Sequence, residues 1–196
     1  MREGGSGWAS GSLWGGAASA ELPHAYEDAS AVRPVPDHQE LRCCTRTGQG
    51  VSLEVLESDP ARGVGMPGGG LCGILFADQA ELNGAALGED TTVVREEEEL
   101  DMAAACPGVA ADDPAAAGAW MAGRIRMPFG ARDTVEFAVA CLRLPRADSD
   151  LAVVVYMPLH PDTLVPDRAV TADADAAAVL ARVLKTLRVH DWGLFG

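Results

Sequence analysis

One segment of the chain, Thr134–Leu144, constrains the fold more than any other, because it reads as a strand that is apolar on both faces. Its residues divide between the faces as follows: Phe137, Val139 and Cys141 on one, and Ala138, Ala140, Leu142 and Leu144 on the other. A strand that is buried on both faces belongs in the middle of a sheet with a further layer above and below it. The sequence therefore predicts a layered fold built around a central sheet.

Further elements follow from hydrophobic periodicity and from turn residues. Two strand-like runs, Gln39–Thr45 and Val51–Glu57, are separated by a Thr-Gly-Gln-Gly turn and predict a hairpin. The other predicted elements are strands at Thr91–Arg95, Trp120–Met127 and Asp150–Met157, and helices at Leu71–Leu82 and Asp173–Val189. The predicted fold class is α/β (α+β), with a largely antiparallel central β-sheet sandwiched between helices.

The remaining segments set the domain organisation. A chain of 196 residues can bury a core without disulfide or metal staples, so we expect one domain over residues 13–196. Residues 1–12 are rich in glycine and serine, which predicts a flexible leader. The acidic, alanine-rich stretch Glu96–Pro114 is predicted to be a mobile surface excursion, and Pro60–Gly70 and Pro158–Asp167 are predicted to be loops.

The formal net charge of −14 argues against two classes of partner. Nucleic acids and anionic membranes repel a protein that lacks a basic face, and the only lysine of this chain is Lys185. Residues 1–119 carry 20 acidic and 6 basic side chains, whereas residues 120–196 carry nine of each. We therefore expect no nucleic-acid and no membrane partner, and we expect a basic partner to dock on the first part of the chain.

The sequence lacks the motifs of the common enzyme classes: it has no P-loop, no Rossmann glycine fingerprint and no Gly-x-Ser-x-Gly elbow. Its five cysteines form no Cys-x-x-Cys pair, and its four histidines show no zinc-finger spacing. We expect reduced cysteines, no structural zinc, no cofactor and no enzymatic activity. The acidic run Glu96–Glu99 could in principle hold Ca²⁺ or Mg²⁺, but it lacks the ligand spacing and turn glycine of an EF-hand.

A resemblance to a known family rests on motifs that occur in order along the chain. They are Leu13–Ala17, Asp28–Ser30 and Arg33–Glu40, then Ser52–Glu57, then Leu142–Pro145, Asp148–Leu151 and Val189–Phe195. Together they resemble the Ran guanine-nucleotide release factor family, the Mog proteins, over nearly the full length from residue 13. The run Val-Pro-Asp-x-Gln-Glu, followed by a strand that ends in Leu-Glu, is the most specific part of the match.

The resemblance implies an α/β/α sandwich related to the photosynthetic PsbP proteins. It also implies a non-enzymatic role: binding the small GTPase Ran, promoting release of its nucleotide, and so supporting nuclear transport. The implied localisation is the nucleus and the cytoplasm. The family's Ran contacts are attributed to acidic residues, and the matching positions of this sequence are Asp28, Asp37, Glu40, Glu54 and Glu57. We expect Asp37, Glu40, Glu54 and Glu57 to form one patch, on a protein that is a monomer.

Some of these residues also have a purely structural explanation. Asp28 could cap the turn that follows it, and Asp37 could stabilise a loop by an Asx-type bond. Glu54 points outward from its strand, where soluble proteins place charge. Glu57 shares the parity of the apolar residues Val51 and Leu53, which predicts burial unless the strand ends or bulges before it.

Two other functions remain open at this point. One is a PsbP-like accessory protein of the photosynthetic lumen, although the leader contains a single arginine, Arg2, and so lacks the composition of a transit peptide. The other is an acidic domain that binds a divalent cation or a small ligand.

Overall fold

The fold of the described residues is mixed α/β. The computed structural model describes residues 7–58, 70–127, 134–159 and 175–195. The strands of the described residues are β1 (Trp8–Leu13), β2 (Ala18–Pro23), β3 (Glu27–Asp28), β4 (Gln39–Cys43), β5 (Gly50–Glu57), β6 (Thr91–Glu99), β7 (Ala117–Arg126), β8 (Thr134–Leu144), β9 (Ser149–Pro158) and β10 (Arg188–Val189). The helices are α1 (Leu71–Leu82), α2 (Met102–Ala105), α3 (Pro107–Asp112) and α4 (Ala176–Thr186).

Seven strands form the main sheet, in the order β3-β4-β5-β9-β8-β7-β6, and every neighbouring pair is antiparallel. The predicted central strand is confirmed, because β8 lies between β9 and β7 and both Ala138 and Val139, on opposite faces, are fully buried. The predicted hairpin is also confirmed: β4 and β5 pair with Gln39 opposite Glu54 and Cys43 opposite Gly50.

Helices cover both faces of this sheet, which confirms the predicted sandwich. One face packs on α1 through a hydrophobic cluster that includes Phe76, Phe137 and Val139. The other face packs on α4 and the short helices α2 and α3, through a larger cluster that includes Leu180 and Val183. In α4 these apolar residues recur at helical spacing, and the opposite side of the helix is wet.

The N-terminal segment forms a second sheet, of order β1-β2-β10. The prediction of a flexible leader over residues 1–12 is therefore wrong for the residues from Trp8 onward, which pair in register with β2. Glycine and serine have weak strand propensity, but the pairing with β2 supplies the hydrogen bonds that local composition cannot predict. The two strands meet at Gly15 and Gly16, whose φ angles of 64° and 107° favour glycine.

The acidic segment also differs from its prediction as a mobile excursion. Glu96–Glu99 continue β6, which pairs with β7 at the edge of the main sheet, and the alanine-rich part forms α2 and α3. Charged side chains on an edge strand are a common way to prevent pairing with another sheet, so the acidity is compatible with a strand here. β6 has register shifts between Val93 and Arg95 and again before Glu98.

The helix α4 is shorter than the hydrophobic periodicity predicts. α4 begins after Asp175, whose carboxylate accepts a hydrogen bond from the amide of Ala178 at 2.7 Å, and ends at Thr186 rather than Val189. Most of the predicted loops Pro60–Gly70 and Pro158–Asp167 lies outside the described residues. In the part of the chain that the structure describes, no helix is long and apolar enough to cross a membrane.

Candidate acidic interaction surface

All five carboxylates singled out in the sequence lie at one edge of the main sheet, on β3, β4 and β5 or on the turn before β4. Their surroundings differ, however, and these differences separate groups that are engaged inside the protein from groups that face solvent. In the following paragraphs the acidic edge means residues 27–57.

Asp28 caps the short 3₁₀ turn Ala29–Ala31, which confirms its structural role. Its Oδ1 accepts a hydrogen bond from the amide of Ser30 at 2.9 Å, and its Oδ2 lies 3.5 Å from the guanidinium of Arg42. Hydrogen bonding from Ser30, reinforced by the charge of Arg42, lowers the pKa of Asp28 below its ordinary value of 3.8. The carboxylate is therefore held ionised, with its side chain 41% exposed.

Glu40 is more deeply engaged, and its side chain is only 13% exposed. One carboxylate oxygen accepts a hydrogen bond from the backbone amide of Trp14, and the other lies 3.2 Å from Nη2 of Arg42. The same Nη2 donates to the carbonyl oxygen of Ser12 at 2.9 Å. Arg42 of β4 thus contacts β1 through Ser12 and β3 through Asp28, with Glu40 and Asp28 as its two anionic partners.

Sequence reasoning missed Arg42, although a signal was present. Glu40 and Arg42 are two residues apart in a predicted strand, which places both side chains on the same face. What the spacing could not supply was the third segment, since the turn at Trp14 reaches this face only through tertiary packing.

Asp37 is exposed in the turn Pro36–Gln39, which is closed by a hydrogen bond of 2.9 Å from the amide of Gln39 to the carbonyl of Pro36. Asp28, Asp37 and Glu40 line one concavity of about 180 Å³ beside Trp14. The structure therefore brings three of the five carboxylates together.

Glu54 projects from the opposite face of the hairpin. It pairs in register with Gln39, whereas Glu40 pairs with Leu53, so Glu54 and Glu40 lie on different faces of the sheet. The carboxylate of Glu54 lies 3.4 Å from Nε2 of His38 and 3.5 Å from Nε2 of Gln39, and its side chain is 34% exposed. The hairpin register thus separates Glu40 from Glu54, so the expected patch of Asp37, Glu40, Glu54 and Glu57 would include both faces of the hairpin, and it stays a prediction.

Glu57 is exposed because it lies at the end of its strand, although its place in the alternation predicts burial. It is the last residue of β5 and shares the parity of the buried Val51 and Leu53. β4 begins opposite Glu54, so Glu57 extends three residues past the end of the hairpin pairing. The amide of Val55 donates a hydrogen bond of 2.9 Å to the carbonyl oxygen of His38, which places Asp37 at this same end of the hairpin. The exposed Asp37 and Glu57 and the half-buried Glu54 therefore lie at the open end of the hairpin, with Glu54 and Glu57 on opposite faces of β5.

The acidic run in β6 shows no arrangement of a cation site. Among the described residues, no group of three or more histidine, cysteine, aspartate or glutamate side chains could hold a metal ion. The carboxylate of Glu97 accepts a hydrogen bond of 3.2 Å from the amide of Gly73, in the first turn of α1, which gives it a structural partner.

Comparison with known proteins identifies the family of this chain. A family model described as Ran-interacting Mog1 protein matches residues 11–158. This chain belongs to the Mog1 family. Two similar proteins are the Ran guanine nucleotide release factors of Danio rerio and Bos taurus. The first is 27% identical over 193 residues, which cover 94% of this chain and 98% of that protein. The second is 53% identical over 45 residues, which cover 23% of this chain and 24% of that protein.

Solved structures agree with the Mog1 fold. The crystal structure of the Saccharomyces cerevisiae Ran-binding protein Mog1p matches with a TM-score of 0.68 at 20% identity, over 98% of this chain and 100% of that chain. The solution structure of the cyanobacterial PsbP protein of Synechocystis matches with a TM-score of 0.51 at 10% identity, over 94% of each chain. The Mog1 fold of this chain is thus related to the PsbP fold, as the resemblance implied.

Proposed function

We propose that this protein binds the small GTPase Ran and promotes release of its guanine nucleotide through the open end of the β4–β5 hairpin. Membership of the Mog1 family supports Ran as the partner. The observation that supports the position of the site is the division among the five carboxylates: Asp28 and Glu40 are paired with Arg42, whereas Asp37, Glu54 and Glu57 lie at the open end of the hairpin. In this proposal Asp37, Glu54 and Glu57 contact Ran, and Asp28 and Glu40 position the edge through Arg42.

The proposed mechanism needs no bond-making chemistry. A GTPase holds its nucleotide through a P-loop lysine, backbone amides and Mg²⁺. A release factor has only to bind the empty or distorted GTPase more tightly than the loaded one, and the ratio of the two affinities limits the shift in occupancy. Carboxylates suit this task because they can pair with basic groups that the nucleotide phosphates otherwise occupy.

The remaining proposals follow from the same role. A factor that acts on Ran supports nucleocytoplasmic transport, so we propose that the protein works in the nucleus and the cytoplasm as a monomer, without nucleic acid or membrane as partners. The family match does not favour either alternative function, a PsbP-like lumenal accessory protein of a photosystem or an acidic domain that binds a cation or small ligand.

The decisive experiment measures the release of a fluorescent guanine nucleotide from Ran. The double variant Glu54→Ala, Glu57→Ala is expected to lower the rate of release about tenfold, equivalent to about 1.4 kcal/mol of lost binding to the nucleotide-free state. The matched control is Glu81→Ala, Glu89→Ala, which removes two exposed carboxylates elsewhere and changes the net charge equally. Equal loss in both variants would assign the effect to bulk charge, and unchanged release by the folded first variant would refute the site.

A further inference from the structure

The structure contains a groove that lies outside the acidic edge. It has a volume of about 830 Å³ and runs between α4 and α2, beside Trp120 of β7. This volume is within the range of established ligand sites. The groove belongs to the face of the main sheet that α4 covers, and it is open to solvent along one side.

The side chains that line the groove are mostly apolar, and many of them are small. Ala104 and Ala105 of α2 line one side, and Ala177, Ala178 and Ala181 of α4 line the other. Leu100 and Trp120 add larger apolar surface and are only partly buried. Helices pack with their axes about 8–10 Å apart, and the smaller the side chains at the contact, the closer the approach. The small side chains of this groove would therefore allow a further helix to pack closely against α2 and α4.

The charged side chains that line the groove have a net charge opposite in sign to that of the whole protein. Its lining includes one acidic residue, Glu21, and two basic residues, Arg182 and Lys185. Arg182 is paired with Glu21 at 2.9 Å and lies over the ring of Trp8. The ammonium of Lys185 donates to the carbonyl oxygen of Ala104 at 2.8 Å, so a neutral group holds it across the groove, and no carboxylate of the described residues is paired with it.

We propose that this groove binds an amphipathic α-helix of a partner protein, with the apolar stripe of that helix in the groove and acidic residues beside the stripe. An open-sided groove suits a helix, because a helix buries one face and leaves the other in water, whereas an acyl chain in the same groove would stay half exposed. The charge of Lys185 favours acidic flanking residues.

This site goes beyond the proposed action on Ran. The acidic edge lies on β3, β4 and β5, whereas the groove lies beside β7, across the intervening strands β9 and β8. Strands are spaced about 4.8 Å apart, so β5 and β7 are separated by about 14 Å. The protein could therefore hold Ran at one edge of the sheet and the helix of a second protein toward the other edge.

The test uses a labelled amphipathic peptide of about 18 residues, which forms five helical turns. Leucines at positions i, i+3, i+4 and i+7 form the stripe, and glutamates flank it. Its binding to the full chain is followed by fluorescence anisotropy. An isomer with the leucines spread around the helix and a version with lysine in place of glutamate are the peptide controls, and both are expected to bind at least tenfold more weakly.

Three protein variants accompany the peptides. Ala181→Glu places bulk and negative charge on an exposed position of the groove and is expected to weaken binding at least tenfold, whereas Lys185→Gln, which removes the charge at the groove, is expected to weaken it about threefold. Ala111→Glu is the matched control, since Ala111 is exposed on α3 and does not line the groove. All variants are expected to release nucleotide from Ran at the wild-type rate, so failure of this proposal is distinguishable from failure of the proposed function.

Several outcomes would overturn the proposal. These are equal binding of the three peptides, binding that Ala181→Glu and Ala111→Glu weaken equally, and a long-chain fatty acid that displaces the peptide and binds more tightly. A further one is self-association of the wild-type chain, seen by sedimentation, that Ala181→Glu abolishes. The last two results would assign the groove to an acyl ligand and to a second copy of the chain.

Discussion

The acidic edge and the α2–α4 groove both contain an arginine that is paired with carboxylates, but the two arginines play different structural roles. Arg42 at the acidic edge has a side chain that is 20% exposed and meets Glu40, whose side chain is 13% exposed. At the groove, Arg182 and its partner Glu21 are 45% and 38% exposed. Exposed ion pairs contribute little to stability, whereas removing one partner of an enclosed pair leaves a desolvated charge. The acidic edge therefore uses part of its charge to hold its own shape.

The largest expected effect tests that difference directly. Arg42→Met is expected to lower the free energy of unfolding by about 3 kcal/mol, because it leaves the enclosed Glu40 without its cationic partner. Arg182→Met is the matched control and is expected to cost about 1 kcal/mol or less, although it also loses the contact with the ring of Trp8. Urea denaturation of both variants measures the two values. Equal losses would show that burial does not distinguish the two ion pairs.

The next prediction concerns the independence of the two surfaces. Glu57→Gln is expected to slow nucleotide release from Ran about fivefold, since it removes one exposed charge, and to leave the affinity for the amphipathic peptide within about twofold of wild type. Parallel release and anisotropy measurements provide the check. A change in peptide affinity as large as the change in release would mean that the two surfaces are coupled.

The smallest effect is expected at Asp28. Asp28→Ala is expected to cost about 1 kcal/mol at pH 7, because it removes the cap of the turn at Ala29–Ala31. The pKa of Asp28 is lowered in the folded protein, so its contribution is present above its ordinary value of 3.8 and is lost as the pH falls below it. Unfolding measured from pH 7 to pH 3 should show a constant difference between wild type and variant down to about pH 5, which then shrinks. A difference that grew on acidification would contradict the lowered pKa.

The fold was predictable wherever a residue pattern alone determines burial. The period of two in Thr134–Leu144 predicted a central strand, and the helical stripe through Leu180 and Val183 predicted the helix that covers it. The pattern failed at Trp8–Leu13 and at Glu96–Glu99, where strands are made by backbone pairing to β2 and β7. Side-chain composition says little about such pairing at a sheet edge, because the hydrogen bonds belong to the main chain.

The acidic residues were predictable as a set, because the hairpin motif places them within one short region. Their separation was only partly predictable: the opposite faces of Glu40 and Glu54 require the register of β4 on β5. The engagement of Glu40 was not predictable, since Trp14 is 26 residues away along the chain and meets it only in the folded protein.

The sequence by itself determined the antiparallel sandwich, the membership of the Mog1 family and the acidity of the first 119 residues. Only the tertiary structure decided which carboxylates face solvent and which one is enclosed by Arg42, and only it created the groove between α2 and α4. The physical reason is that alternation and helical period are local properties of the chain. The solvation of a charge and the shape of a groove depend instead on which distant segments pack around them.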